Sequence, residues 1–331
     1  MRSTQDSSTF EEKWGIPAEE RALLGTEGLL AAATGCDGML FLWPCDHESA
    51  SPPCVRCVPV HHDVATDFVM DWSNLVSISC GADCSVSVFD LRSEKRLGRV
   101  ASDKTKESSH KLLSVDGDYG LGKVVAGDSQ GMIKIGDLHR AHMLFGMKGH
   151  TDSVYQVRAD WRRNQVVSCS WDKSLNVFDV RSGKKSRTLL GHKAICNRMD
   201  VDFDVQLAVS VAWERQFILW DLKQGDIIKS YPSHAANDVS VDWQSMKAAT
   251  GADDGLVKMW DLKSGLCVST IDCEHDQTLA LDVNWDLGLL LTASWDQQVK
   301  LFDLATEQCL KKFCKARRVL TQCLMKKSRS R

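Results

Sequence analysis

Along the chain, apolar residues recur at every second position in short runs that end on an aromatic. Leu175 and Val177 precede Phe178, Phe217 and Leu219 precede Trp220, Val257 and Met259 precede Trp260, and Val299 and Leu301 precede Phe302. Period two is the mark of a strand whose successive side chains face opposite ways. Ahead of each run lies a short polar turn, as in SCSWDKSLNVFD (168–179), SVAWERQFILWD (210–221) and TASWDQQVKLFD (292–303). The same segment returns as TGCDGMLFLWP (34–44), SCGADCSVSVFD (79–90), AGDSQGMIKIGD (126–137) and TGADDGLVKMWD (250–261). Aligned on Trp43, Phe89, Gly136, Phe178, Trp220, Trp260 and Phe302, the copies stand 40 to 47 residues apart. That interval predicts a unit of four short strands repeated along the chain.

About 27 residues before every anchor but the first stands a histidine: His62, His110, His150, His192, His234 and His275, the third and fourth within Gly-His dipeptides. The ending Trp-Asp is intact at Trp220-Asp221 and Trp260-Asp261 and softened to Phe-Asp at 89, 178 and 302. With these features the copies resemble WD40 repeats, and the resemblance runs from about residue 20 to near the C-terminus. It implies an all-β fold, a single seven-bladed WD40 β-propeller with four antiparallel strands per blade. The propeller is expected over residues 20–325, between a polar N-terminal tail (1–19) and a basic C-terminal tail (326–331).

The resemblance also implies a buried hydrogen-bonded network in each blade, built from a histidine, a Ser or Thr, a turn aspartate and the tryptophan. His234, Thr250, Asp254 and Trp260 fill all four places. Such a set is chemically coherent, because carboxylate, imidazole, hydroxyl and indole N–H can satisfy one another in sequence. His62/Ser79/Asp83, His150/Ser168/Asp172 and His275/Thr292/Asp296 keep three members and replace the indole with Phe. His192, Ser210 and Trp220 accompany Glu214 in the acid place, whereas the third copy, with Ala126, Gln130 and Gly136, has lost the set and is expected to be the softest. For ring closure, the first strand of blade one has two sources, residues 20–25 or the C-terminal RRVLTQCLM (317–325). The C-terminal segment is favoured because it would join the chain ends and cover an open strand edge.

Composition adds a charge asymmetry. The formal net charge is −3, yet nine Lys and Arg residues and no acid follow Glu307, which leaves −12 for the rest. No apolar run approaches the ~20 residues of a membrane-spanning helix, so no membrane span is expected, and the N-terminus has no apolar segment of the kind a secretory signal needs. Thirteen cysteines without regular spacing fit reduced thiols in a cytoplasmic protein, with the nucleus also open to it. Nucleic acid is not expected as a partner except through the basic C-terminal tail.

Candidate chemistry is sparse. The repeated His and Asp residues could be acid–base pairs, but recurrence in copy after copy marks them as structural parts. GDYGLGKV (117–124) nearly spells a phosphate loop, yet has Val124 where a Ser or Thr would bind magnesium and no helix to follow, so it reads as a turn. Cys45, His47, Cys54 and Cys57 form a C-x-H-x6-C-x2-C set of zinc-type ligands, of which only the last pair has familiar spacing. No cofactor is implied and no catalytic set is present, so an enzyme is not expected.

What remains is a surface. The residue before each turn acid, expected to point out around the central channel, is Cys36, Ala82, Ser129, Trp171, Trp213, Asp253 or Trp295. Exposed tryptophans close together mark a surface that awaits a partner. Trp171, Trp213 and Trp295, with Asp253 and Lys173 at the rim, are therefore the expected contacts for an apolar, basic-flanked protein segment. The expectation is a monomeric, non-catalytic scaffold within a multiprotein complex. An alternative is a substrate receptor of a cullin-type ubiquitin ligase, since Phe89-Asp90-Leu91-Arg92 and Phe178-Asp179-Val180-Arg181 resemble the Trp-Asp-x-Arg ending of that class.

Overall fold

The computed structural model describes residues 30–45, 56–101, 110–313 and 320–325. They form 28 strands. The first sheet holds β1 (Leu30–Gly35), β2 (Met39–Pro44) and β3 (Arg56–Pro59). Next come β4 (Ala65–Asp71), β5 (Val76–Gly81), β6 (Ser85–Asp90) and β7 (Lys95–Ala101), then β8 (Leu112–Asp118), β9 (Lys123–Asp128), β10 (Met132–Asp137) and β11 (His142–Lys148). They are followed by β12 (Val154–Asp160), β13 (Gln165–Ser170), β14 (Ser174–Asp179) and β15 (Lys184–Leu190), and by β16 (Cys196–Asp202), β17 (Leu207–Ala212), β18 (Gln216–Asp221) and β19 (Ile227–Pro232). The last groups are β20 (Ala236–Asp242), β21 (Lys247–Ala252), β22 (Leu256–Asp261) and β23 (Leu266–Asp272), then β24 (Thr278–Asn284), β25 (Leu289–Ser294), β26 (Val299–Asp303), β27 (Cys309–Phe313) and finally β28 (Leu320–Met325).

The expectation of seven separate, wholly antiparallel four-stranded blades is corrected by the hydrogen bonding. Five sheets are four-stranded antiparallel blades: β28-β1-β2-β3, β12 to β15, β16 to β19, β20 to β23 and β24 to β27. The other eight strands form one sheet in the order β4-β5-β6-β7-β11-β10-β9-β8. Its two halves join where β7 and β11 meet in parallel, Ala101 opposite His142. The physical reason is that an outermost strand carries unpaired N–H and C=O groups along one side. A repeat period counts copies of a unit; it does not register a bond between the outer edges of two neighbours.

Closure draws on both chain ends. β28 lies antiparallel to β1, with Ala31 opposite Met325 and Ala33 opposite Cys323, so the C-terminal segment supplies the inner strand of the first blade. Residues 317–319 and both expected tails, 1–19 and 326–331, lie outside the described residues.

The core sits between neighbouring blades. Val167, Cys169, Val177 and Leu189 of one blade meet Met199, Ala208, Ile218 and Trp220 of the next, all buried. Middle strands are covered on both faces, which is why β1 and β17 read almost as continuous apolar runs and β5, despite Ser77 and Ser79, is buried throughout, while the outer β15 is buried only at Leu189. Deleting a ring such as Trp220 to alanine in such a core typically costs about 3–5 kcal/mol. The recurrent tryptophans Trp72, Trp161, Trp243 and Trp285, just beyond the inner strands, each pack against one of these clusters.

Inner strands are also stitched to one another by side chains. The Asp67 carboxylate accepts from Val115 N–H at 3.0 Å, Gln156 Oε1 from Met199 N–H at 2.5 Å and Asp238 from Leu281 N–H at 2.9 Å. These acceptors occupy the third place of β4, β12 and β20. At the intervening junctions the acceptor moves to the fifth place: Asp116 accepts from Ala159 N–H at 2.8 Å and Asp200 from Val241 N–H at 2.7 Å. The stitches alternate between two levels around the channel. Burial pushes the Asp238 carboxyl up to about 6, against the pull of Arg198 and its own hydrogen bonds.

Candidate functional site

The histidine-centred sets form the floor beneath the candidate face. His234 Nδ1–H donates to Asp254 at 3.1 Å, Thr250 Oγ1–H donates to His234 Nε2 at 3.0 Å, and Trp260 Nε1–H donates to Thr250 Oγ1 at 2.9 Å. Glu214, despite its length, reaches His192 Nδ1 at 2.6 Å, with Ser210 on the other ring nitrogen and Trp220 on Ser210 at 2.7 Å. His150 lies between Asp172 at 2.9 Å and Ser168 at 2.7 Å; His275 lies between Asp296 at 2.9 Å and Thr292 at 3.0 Å. Burial lowers the pKa values of His192, His234 and His275, with their acid partners opposing that shift. For Asp172, burial would raise the carboxyl, but hydrogen bonds from His150 and Ser174 hold it well below the usual range.

One assignment is corrected. In the second copy the ring in the network is that of His61, whose Nδ1 is 3.1 Å from Asp83 and whose Nε2 is 3.0 Å from Ser79. His62 is exposed and contributes only its backbone N–H to Asp83. Two adjacent histidines alternate across the backbone, and counting 27 residues from the anchor selected the one that faces solvent. Where Phe replaces the indole, other groups supply donors. Asn176 Nδ2 donates to Gly149 O at 3.0 Å, and the buried Lys300 ammonium donates to the carbonyls of Cys273 and Glu274, both at 2.8 Å. In the third copy Asp128 receives the turn N–H groups of Gln130 and Met132 and pairs with Lys134 at 3.0 Å.

The turns place the candidate contacts. Lys173, after the turn acid, has φ 72° and an exposed side chain. At the matching place in another blade stands Gly255, where a Cβ would lie 2.1 Å from the His275 carbonyl oxygen. Trp213 and Trp295 are 53% and 57% exposed. Trp171 differs: its ring is half-buried, stacked on Tyr155 at 5.5 Å and 6.3 Å from Trp213. Asn237 ties the arc together, accepting from Trp213 Nε1–H at 3.3 Å and donating to Asp253 Oδ1 at 2.6 Å.

Between these rings opens a cavity of about 330 Å³ at the mouth of the channel. Trp213 and Trp295 line it with Cys36, and the second residues of the inner strands complete it: Thr66, Leu113, Tyr155, Asn197, Asn237 and Leu279. Those six were missed from the sequence, although each stands 23 residues before its anchor. Arg198, also in the wall, lies with its guanidinium 5.7 Å from the Tyr155 ring centre and donates to Tyr155 O.

Of the zinc-type set, Cys45 and Cys57 are buried in an apolar cluster with Trp43 and Phe313, while His47 and Cys54 lie outside the described residues. No group of potential metal ligands occurs among the described residues. Arg92, in one of the ligase-like endings, donates to the Ser73 carbonyl at 3.0 Å.

The family profile for the WD domain, G-beta repeat, matches residues 142–179, 225–261 and 265–303. Those three segments are WD40 repeats. WD40 propeller domains are characteristically non-catalytic scaffolds, and this fold is of that kind. Among relatives, a ribosome biogenesis protein WDR12 homolog of Ixodes scapularis is 25% identical over 90% of this WD40 chain and 68% of its own length. Mitochondrial division protein 1 of Saccharomyces cerevisiae is 26% identical over 59% of the chain, which spans only 26% of that protein. Autophagy-related protein 16 of Arabidopsis thaliana is 23% identical over 57% of the chain and 38% of its own length. No helix of the described residues is long and apolar enough to cross a membrane.

Proposed function

We propose that this WD40 chain is an interaction scaffold in a multiprotein complex, and that its principal partner docks on the face carrying the turn tryptophans. The observation that carries this reading is the pair Trp213 and Trp295, each more than half exposed on the rim of one cavity. Leaving a ring of this size in water forgoes roughly 1.5–3 kcal/mol of burial per side chain, and tryptophan is among the residues most enriched in binding hot spots. Asp253 and Lys173 provide charged positions on the same face. Trp171 supports the platform from beneath by stacking on Tyr155. The relatives are named for ribosome biogenesis, mitochondrial division and autophagy, and such varied names favour a shared holding role over any one process.

The test is quantitative affinity capture with the parent and the Trp213→Ala/Trp295→Ala variant. The principal partner is expected on the parent and lost from the variant, with circular dichroism and melting unchanged, because neither ring is part of the core. Equal capture by both proteins would overturn the assignment of this face. Nothing in the described geometry favours the ubiquitin-ligase alternative.

A further inference from the structure

We infer that the cavity at the channel mouth receives an acidic side chain, aspartate or glutamate, from the docked protein segment, and that the Arg198 guanidinium anchors it. This rests on the docking face proposed above and assigns the chemistry of its central pocket. Arg198 is the charged side chain among the residues lining the cavity, and it is only 6% exposed. Among the described residues its one hydrogen bond is long, Nη1–H to the Tyr155 carbonyl oxygen at 3.4 Å, and no carboxylate is ion-paired with it. Nε–H and Nη2–H, which form one edge of the guanidinium, donate to nothing there. The sealed polar atoms without a partner include Asn197 Oδ1 but no nitrogen of Arg198, so the idle edge keeps surface where the side chain borders the cavity. A charge this deeply buried with two donors unused carries a cost that an anionic acceptor relieves. A carboxylate meets such an edge with two parallel N–H···O bonds.

The surroundings hold the guanidinium and select its ligand. The Tyr155 ring centre lies 5.7 Å from the guanidinium carbon, and that ring stacks on Trp171 at 5.5 Å, so the cation has a platform before any ligand arrives. Burial opposes its charge, and Asp67 and Asp238 on other inner strands more than offset that. Those two carboxylates keep their oxygens for the backbone. Asp67 accepts from Phe68 N–H at 2.9 Å and Val115 N–H at 3.0 Å, and Asp238 from Val239 N–H and Leu281 N–H, both at 2.9 Å. Their field limits the ligand's charge: a phosphate dianion is ordinarily met by a cluster of arginines, and here it would meet one arginine with two carboxylates behind it. A single carboxylate suits that balance. Leu113, Leu279, Trp213 and Trp295 line the rest of the cavity, whose volume of about 330 Å³ has room for one such side chain and its apolar stem.

The probes are the N-acetyl methylamides of glutamate, glutamine, lysine and phosphoserine, titrated into the full chain while the indole N–H resonances of Trp213 and Trp295 are followed by NMR. Glutamate is expected to shift both signals saturably. Glutamine, which has the same shape and no charge, should bind at least about tenfold more weakly; phosphoserine should bind more weakly than glutamate, and lysine should cause no shift. Arg198→Met, which keeps the stem and removes the fork, should bring glutamate down to the glutamine level, and Arg198→Lys should restore only part of the difference. Equal binding of glutamate and glutamine would leave a neutral pocket and overturn the inference; so would preference for lysine, or no response to any probe. Phosphoserine binding as tightly as glutamate would make this a phosphate site and overturn it as well. The parent series decides the matter even if the Arg198 variants fold poorly. If glutamate fails while the Trp213/Trp295 variant still loses its partner, the pocket assignment falls and the docking face stands.

Discussion

At the scale of the residue, what a side chain contributes depends on how many donors it gathers. Asp172 accepts from His150 Nδ1–H, from the backbone N–H groups of Thr151 and Ser174, and from the Ser174 hydroxyl. Asp254 meets His234 only at 3.1 to 3.2 Å, adds the Leu256 N–H, and has a side chain 41% exposed. Stranding buried donors costs about 1–3 kcal/mol. Asp172→Ala is therefore expected near the upper end of that range and Asp254→Ala near the lower, while Gln130→Ala, at an exposed position, should be close to neutral. Urea denaturation of the three variants orders them. Equal losses at Asp172 and Gln130 would contradict the network as the source of stability.

At the scale of the element, the inner strand β28 is six residues that come from the far end of the chain. Removing residues 315–331 takes it away and bares the edge of β1, so the truncated chain is expected to melt lower by more than about 5 °C and to aggregate. For domains of 150–250 residues each 1 kcal/mol moves the midpoint by about 2–4 °C. Differential scanning calorimetry with light scattering reads both effects, and a truncated chain as stable as the parent would show that the first blade holds without that strand. Strands such as β14 and β22 were legible because period-two runs ending on Phe178 and Trp260 leave little else to form. The ring of His61 was not, since neighbouring histidines differ only in which face of the backbone they occupy. The cavity wall was hidden for a related reason: Thr66, Tyr155 and Asn197 share a place in the repeat but no chemical type, so no motif search would group them. The half-buried pose of Trp171 depends on Tyr155, which lies in another strand.

At the scale of the whole molecule, the alternating stitches make a rule that extends to the junction between β24 and β28. Asp116 and Asp200 occupy the fifth place of their strands and accept from the sixth place of the next. Asp282 occupies that place in β24, and its Oδ1 accepts from Val283 N–H at 3.0 Å. The rule directs its other oxygen to the Met325 N–H of β28. Asp282→Ala should then speed amide exchange at Met325 selectively and lower stability by about 1–3 kcal/mol; unchanged protection at Met325 would break the rule. The eight-stranded sheet has a different consequence, for the rim. Where β7 and β11 meet, the one pairing of Ala101 with His142 occupies the edge at that point, while Leu97, Leu144 and Phe145 along the two strands stay exposed. On the other side of the ring, β19 and β23 end their sheets with Ile228, Leu266 and Val268 more than half in water. β15 guards its own border with Lys184, Lys185 and Arg187, a screen those two strands lack along most of their length. The circumference is thus tied at one point and adhesive along β19 and β23, and at high concentration self-association is expected to begin from that side.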